Sequence, residues 1–298
     1  MTEVRLEVRP PWAFRLSRRV GLDRMARVRG GVLHRLIHVG DEPVVIRVAQ
    51  LSPERVLFGA EAKSRGAAEV GAARMRFALG VDVDLRPFYE RFVDDPLIGA
   101  SVRRSPALRV AGRPGGFEAL LMAVCEQLID YETAAAIQRR IAFRLGRVCP
   151  RTGLRDLPSA AAVAAQSPAL LESLGLSGGR AIALRRAARE VASGRVDLEC
   201  GSDGHAAGWR RLRAIPGIGP WTVQTMALTG QGRLDQLPAG DLAYLKLVGR
   251  MQTGGNPFAR ATEQDVAALF EPYAPWAGLA GIHALRSGAS GAALRLAA

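Results

Sequence analysis

Val4, Leu6 and Val8 alternate with Arg5, Glu7 and Arg9 near the start of the chain, the period of a half-buried strand. Two more extended runs lie in VLHRLIHVGDEPVVIRVAQL, on either side of the turn Gly40-Asp41-Glu42-Pro43. These patterns predict strands and turns from residue 1 to about residue 60. From about Ala60 to Leu79, alanine and arginine interleave at helical spacing. Leu85, Phe88, Tyr89 and Phe92 then share one helical face, and Asp94-Asp95-Pro96 ends it.

From Phe117 the period is helical almost throughout. A long amphipathic stretch, GGFEALLMAVCEQLIDYETAAAIQRRIAFRL, breaks near Gln127–Tyr131. A Pro/Gly loop over 148–158 follows, then short helices with Ser159 and Ser167 as caps, then an arginine-lined helix after Gly178-Gly179. The tail from Ser287 is small-residue sequence expected to fray. The fold class expected is an α+β N-terminal domain over 1–104, followed by an all-α body over 105–298.

Composition narrows the partners. The 298 residues carry a formal net charge of +13, the footprint of a polyanion binder, nucleic acid first and an anionic membrane surface second. The only lysines are Lys63 and Lys246, so 39 of the 41 basic residues are arginine. Codon bias and phosphate recognition by arginine's planar fork both account for that preference. No run reaches the ~18 apolar residues of a membrane helix. The N-terminus carries no apolar signal core, so a cytoplasmic, nucleoid-associated protein is expected. Cys125, Cys149 and Cys200 form no CxxC pair, which argues against a disulfide framework. His34 and His38 would bind metal together only on a helix, and their segment reads equally as a strand.

The strongest local signal is RAIPGIGPWTVQTM, Arg213 to Met226. Trp209, Leu212 and Ile215 share a helical face, PGIG turns the chain, and Pro220 opens a second helix as its first residue. Gly217 and Gly219 would free the backbone to turn and to approach a ligand. Their N–H groups at a helix N-terminus would favour an anion, with Ile218 pinning the turn from the core. A plain tight helix–helix turn explains the same spacing. Downstream, DQLPAGDLAYLK puts Asp235 and Asp241 around a Leu-Pro-Ala-Gly turn, with Asp241 at a helix start. An aspartate there is commonly just a cap. Yet it follows Trp221 by twenty residues, and a helix out and a turn back would bring it beside the hairpin. There it could stabilise a sugar cation or orient water.

LRAIPGIGPWTVQTMAL followed by LPAGDLAYLK resembles the helix-hairpin-helix DNA glycosylase superfamily, within it the 3-methyladenine DNA glycosylase II type. DLRPFYERFVDDPLI, FEALLMAVCEQLID and LGLSGGRAIALRRAAREV are similar to family segments in the same order, so the resemblance covers roughly residues 80–285. It implies an enzyme of base excision repair that hydrolyses the N-glycosidic bond of alkylated purines such as 3-methyladenine in double-stranded DNA. The alternatives are a glycosylase of the same fold for deaminated or oxidised bases, and a damage-binding protein without chemistry.

The resemblance also implies residue roles. Asp241 is the catalytic carboxylate. Gly217, Ile218, Gly219, Thr222, Gln127 and Leu128 meet DNA, Leu128 as a wedge. Trp221, Trp276, Thr225 and Leu242 line the base pocket. Core packing is the alternative reading for Leu128 and for either tryptophan. The carbonyls of Arg213, Ile215 and Ile218 would hold Na+ or K+. No iron–sulfur cluster is expected, since no cysteine follows Cys200. Lyase relatives carry a Schiff-base lysine where this chain has Trp221, so an enzyme without lyase activity is implied; a monomer is expected. Glu126, Asp130 and Glu132 depart from the family's pattern: acids near a DNA-facing break would repel phosphate, alter lesion choice or mark a shifted wedge.

Overall fold

A computed structural model describes residues 1–17, 21–199 and 204–287. Cys200 and the tail beyond Ser287 lie outside the described residues.

Five strands precede every helix: β1 (Thr2–Val8), β2 (Ala26–Arg29), β3 (Val32–Val39), β4 (Glu42–Ser52) and β5 (Arg55–Ala62). They form one antiparallel sheet in the order β1-β5-β4-β3-β2. Gly30 and Gly31, at φ +56° and +78°, make the two-residue turn from β2 to β3, a conformation that suits the strand twist. Helix α1 (Arg65–Leu79) lies on the sheet through Ala67, Ala68, Gly71, Ala72 and Met75. A side chain at Gly71 would start 2.7 Å from Val44, so only glycine lets this helix sit so close. His34 and His38 fall on β3, where a four-residue separation spans about 13 Å, too far for one metal ion.

The rest is helical: α2 (Arg86–Phe92), α3 (Gly99–Arg104), α4 (Gly116–Glu126), α5 (Tyr131–Leu145), α6 (Ala160–Ala164), α7 (Pro168–Ser173), α8 (Gly178–Ala192), α9 (His205–Arg213), α10 (Pro220–Gly230), α11 (Leu242–Gln252), α12 (Glu263–Phe270) and α13 (Ala277–Ser287). The expected break near Gln127–Tyr131 is the gap between α4 and α5. Ser159 and Ser167 accept from Ala162 N–H and Leu170 N–H as caps.

Three large apolar cores and one small one (Leu36, Val45, Cys149 and Leu154) result among the described residues. The sheet and α1 share one. Helices α4, α5, α8, α9 and α10 share a second, with Leu120, Leu121, Ile137, Ile141, Leu184 and Met226 inside. The third joins α2 and α3 to α11, α12 and α13 through Phe88, Ile98, Tyr244 and Phe270. Residues 85–102 therefore pack with 237–285. Between α10 and α11 the chain passes from the second core to the third, and the candidate site lies at that crossing.

Candidate active site

The hairpin between α9 and α10 is rigid for local reasons. Gly217 has φ +90°, which favours glycine, and a side chain there would start 3.1 Å from Ala183 on α8. Gly219 differs from expectation: its φ of −90° and ψ of −179° are extended backbone open to any residue. A Cβ at Gly219 would meet nothing in the protein; its bareness leaves room outside the turn. Ile218 is buried, and its N–H donates to Ile215 C=O at 2.9 Å. The amides of Gly217 and Gly219 have no acceptor among the described residues, so they are the donors the turn presents outward. Pro220 opens α10 without an N–H to satisfy.

Gln127 ties this turn to the end of α4. Its Nε2 donates to Gly217 C=O at 2.8 Å and to Thr222 Oγ1 at 2.7 Å. Arg180 at the start of α8 reaches the same end, donating to Cys125 C=O at 3.1 Å and Gln127 C=O at 3.4 Å. Those carbonyls would otherwise be orphaned at the helix terminus; no sequence pattern singled Arg180 out. The next residue, Leu128, is fully exposed at φ +56°. That conformation costs a non-glycine residue about 1–2 kcal/mol, so an apolar side chain is held out in solvent on an anchored loop. Plain core packing does not describe it.

Asp241 is half-buried as the N-cap of α11. Its Oδ1 accepts from Ala243 N–H at 2.8 Å. Its Oδ2 accepts from Trp221 Nε1 at 3.0 Å. The cap and the partner of the hairpin are thus one residue, and the bond joins α10 of the second core to α11 of the third. Trp221 thus orients the carboxylate, a role the sequence did not reveal. Thr225, one turn on from Trp221, is buried with its Oγ1 unbonded. Leu242 is largely exposed. Trp276 is half-buried and meets Phe88 and Phe92 edge-on in the third core. Asp235 pairs with Arg233.

The three unexpected acids separate. Asp130 caps α5, accepting from Thr133 N–H at 2.8 Å. Glu132 lies in the first turn of α5, where its charge suits the helix dipole. Glu126 ends α4, half-buried, its Oε1 accepting from Gln138 Nε2 at 3.0 Å. Burial pushes its carboxyl above the usual range, against Arg113 and Gln138; the charges of Asp23 and Asp241 push the same way. Nearby, Arg113 pairs with Asp23 at 2.8 Å. Burial works against the Asp23 charge, but Arg113 and the Met25 amide outweigh it and hold that carboxyl low. Burial likewise raises the Tyr131 hydroxyl, with Asp23 adding to it.

A separate apolar cavity of about 450 Å³, lined by Phe77, Val83, Leu85, Val110, Leu228 and Leu234, includes neither Asp241 nor Trp221. Among the described residues no His, Cys, Asp or Glu group is arranged to hold a metal ion. Arg213 ends α9 at the helix's negative end, and Ile215 C=O accepts one bond, from Ile218 N–H.

No protein-family model matches the chain. A Mycobacterium tuberculosis protein named as the bifunctional transcriptional activator/DNA repair enzyme AlkA is 28% identical over 212 residues, 69% of this chain and 40% of that protein. The DNA-3-methyladenine glycosylase of Bacillus subtilis is 25% identical, over 66% of this chain and 65% of its own length. The chain thus spans under two thirds of these relatives. The 3-methyladenine DNA glycosylase of Archaeoglobus fulgidus has the same fold, with a TM-score of 0.77 at 19% identity over 94% of this chain and 97% of that one. The chain is thus similar to AlkA and the DNA-3-methyladenine glycosylases, a likeness that supports the AlkA-like superfamily of helix-hairpin-helix DNA glycosylases. The small antiparallel sheet and many helices match the glycosylase fold. Among the described residues no helix is long and apolar enough to cross a membrane.

Proposed function

We propose that this chain is a DNA glycosylase of base excision repair that hydrolyses the N-glycosidic bond of alkylated purines, 3-methyladenine among them, in double-stranded DNA. The observation that carries the reading is the Trp221–Asp241 hydrogen bond, set behind a hairpin with two outward amides and beside an exposed leucine. Each part answers a physical need. A base inside a duplex must first leave the stack, which costs a few kcal/mol. The amides of Gly217 and Gly219 grip a phosphate of the distorted strand. Leu128 fills the vacated space. Bond cleavage then places positive charge on the sugar, and Asp241, held still by Trp221 and Ala243, stabilises that charge with little reorganisation.

The names of the relatives support the alkylated-base substrate. We infer a hydrolase without lyase activity, since Trp221 stands at the hairpin position where lyase relatives carry lysine. Neither lysine lies on the hairpin: Lys63 directly follows β5, and Lys246 lies five residues beyond Asp241 on α11. A Na+ or K+ ion on the carbonyls of Arg213, Ile215 and Ile218 would hold the hairpin and add positive charge towards the phosphate. In this reading the segments 1–104 and 105–298 act together in one monomer, Asp23 coming from the first and Glu126, Trp221 and Asp241 from the second.

The test is base release from methylated duplex DNA. Asp241→Asn keeps a capping side chain at the helix start but removes the charge, and base release falls by about 10²–10³, the scale of a lost charge-stabilising group. Equal release by both proteins would remove Asp241 from the mechanism. Strand nicking without heat or alkali would contradict the absence of lyase activity.

A further inference from the structure

Four carboxylic acids lie along the junction between the sheet and the helical body: Asp23, Glu118, Asp156 and Glu126. Three of them have a guanidinium. Arg113 is 2.8 Å from Asp23. Arg35 is 2.6 Å from Glu118 and 3.5 Å from Asp156. Arg147 is 3.6 Å from Asp156. Glu126 has no ion pair among the described residues; its one side-chain bond is to the neutral amide of Gln138. Of the four, it alone has no guanidinium at ion-pair distance to favour its charged form. Gln138 occupies Oε1, so the proton goes on Oε2, which has no partner among the described residues.

Its position gives that proton a use. Glu126 precedes Gln127, which is fastened to Thr222. Thr222 follows Trp221, which is bonded to Asp241. These bonds join the end of α4 that carries Glu126 to the cap of α11 that carries Asp241, and the Asp241 charge bears on Glu126. Both remain partly open to solvent. We propose that Glu126 donates the proton to the departing base, extending the substrates from cationic alkylated purines to uncharged damaged purines.

This rests on the reading of the cleft as a base-excision site. The C1′–N9 bond breaks and its electron pair passes to the purine. The Glu126 carboxyl gives its proton to a ring nitrogen, so the purine leaves neutral. Water adds its oxygen to the cationic C1′ beside Asp241, and the proton released restores the Glu126 carboxyl. The products are the neutral free base and the sugar hydroxyl. A purine alkylated at N3 or N7 already carries the positive charge that protonation would supply, so its departure depends on Asp241 alone. General acids of this kind contribute about 10²–10⁴-fold.

The test compares single-turnover release from duplexes holding one hypoxanthine or one 7-methylguanine, by the unmodified protein, Glu126→Gln and Glu126→Asp. Glu126→Gln is expected to lower hypoxanthine release at least 30-fold more than it lowers 7-methylguanine release. Glu126→Asp should recover part of that difference. Hypoxanthine release by the unmodified protein should also lose rate on an alkaline limb that 7-methylguanine release lacks. The groups facing this limb are Arg113, Asp23, Tyr131 and Asp241. Thermal unfolding of the variants separates loss of chemistry from loss of fold. An equal loss on both substrates, or on neither, would overturn the proposal. Release of 7-methylguanine with no release of hypoxanthine would overturn this proposal alone, whereas release of neither would overturn the glycosylase reading with it.

Discussion

Two polar clusters lie within this molecule, and they are built oppositely. At the junction of sheet and helices, Arg35, Glu118, Asp156 and Arg147 hold one another by direct charge contacts, and His38 Nδ1 lies 2.9 Å from Asp156. In the cleft, Asp241 is held by an indole N–H and a backbone N–H, and Glu126 by an amide N–H. A cation beside a carboxylate commits its charge. A neutral donor fixes the position of an acid while leaving its charge or proton for another molecule. The first cluster can join two parts of a fold, and the second can meet a substrate.

The largest expected effect is on the first cluster. Arg35 is buried and serves two acids. Arg35→Leu leaves Glu118 and Asp156 short of a cation, and breaking a buried pair on one side costs about 3–5 kcal/mol. Urea unfolding should show that loss, and a second change, Glu118→Leu, should recover part of it. A loss below about 1 kcal/mol for Arg35→Leu would mean the junction is not held by these charges and the contrast with the cleft fails.

A third group sharpens what separates the two clusters. His283 is held by neutral partners as the cleft acids are: Ser101 Oγ at 3.0 Å and Tyr89 Oη at 3.4 Å. It differs in being wholly buried. Burial first, then the charge of Arg286, lowers it from 6.5 to about 4. The unfolded chain therefore takes up this proton near pH 6.5 and the folded one only near pH 4. Stability from this group is fully present above pH 6.5 and is lost as pH falls towards 4. At 1.36 kcal/mol per unit, the loss approaches about 3 kcal/mol. His283→Gln should flatten the stability curve across that window. An unchanged curve would show that His283 does not titrate as a buried group. Neutral partners without solvent access thus make a pH-sensitive packing element, whereas Glu126 and Asp241 combine neutral partners with an open face.

Much of this was legible from the chain. Alternation located the strands, because one face of the sheet is buried under α1. The hairpin was legible because PGIG with Pro220 leaves few other conformations, although Gly219 proved ordinary in its backbone angles. Asp241 could be placed near Trp221 by counting a helix and a turn, but the bond between them could not, since its direction depends on how two cores pack. Glu126 was misleading for the same reason. In sequence it neighbours Gln127 and Leu128 and reads as an acid facing DNA; in the fold the last turn of α4 draws it inward to Gln138. Asp130 looked equally odd until the start of α5 made it a cap.

The smallest effect makes the sharpest distinction, because stability and function should part at one residue. Leu128 buries nothing and adopts φ +56°, a conformation that glycine takes without the steric penalty. Leu128→Gly should therefore leave stability no lower, and raise it by up to about 1 kcal/mol. Base release from methylated duplex should nevertheless fall about 10-fold, since nothing apolar remains to occupy the gap in the stack. The two measurements are a thermal midpoint and a single-turnover rate on the same preparation. A lower midpoint would mean that Leu128 packs in solution, and the exposed tip would then belong with the structural elements. An unchanged rate with an unchanged midpoint would assign the wedge to another residue and leave Leu128 without a function that justifies its strained backbone.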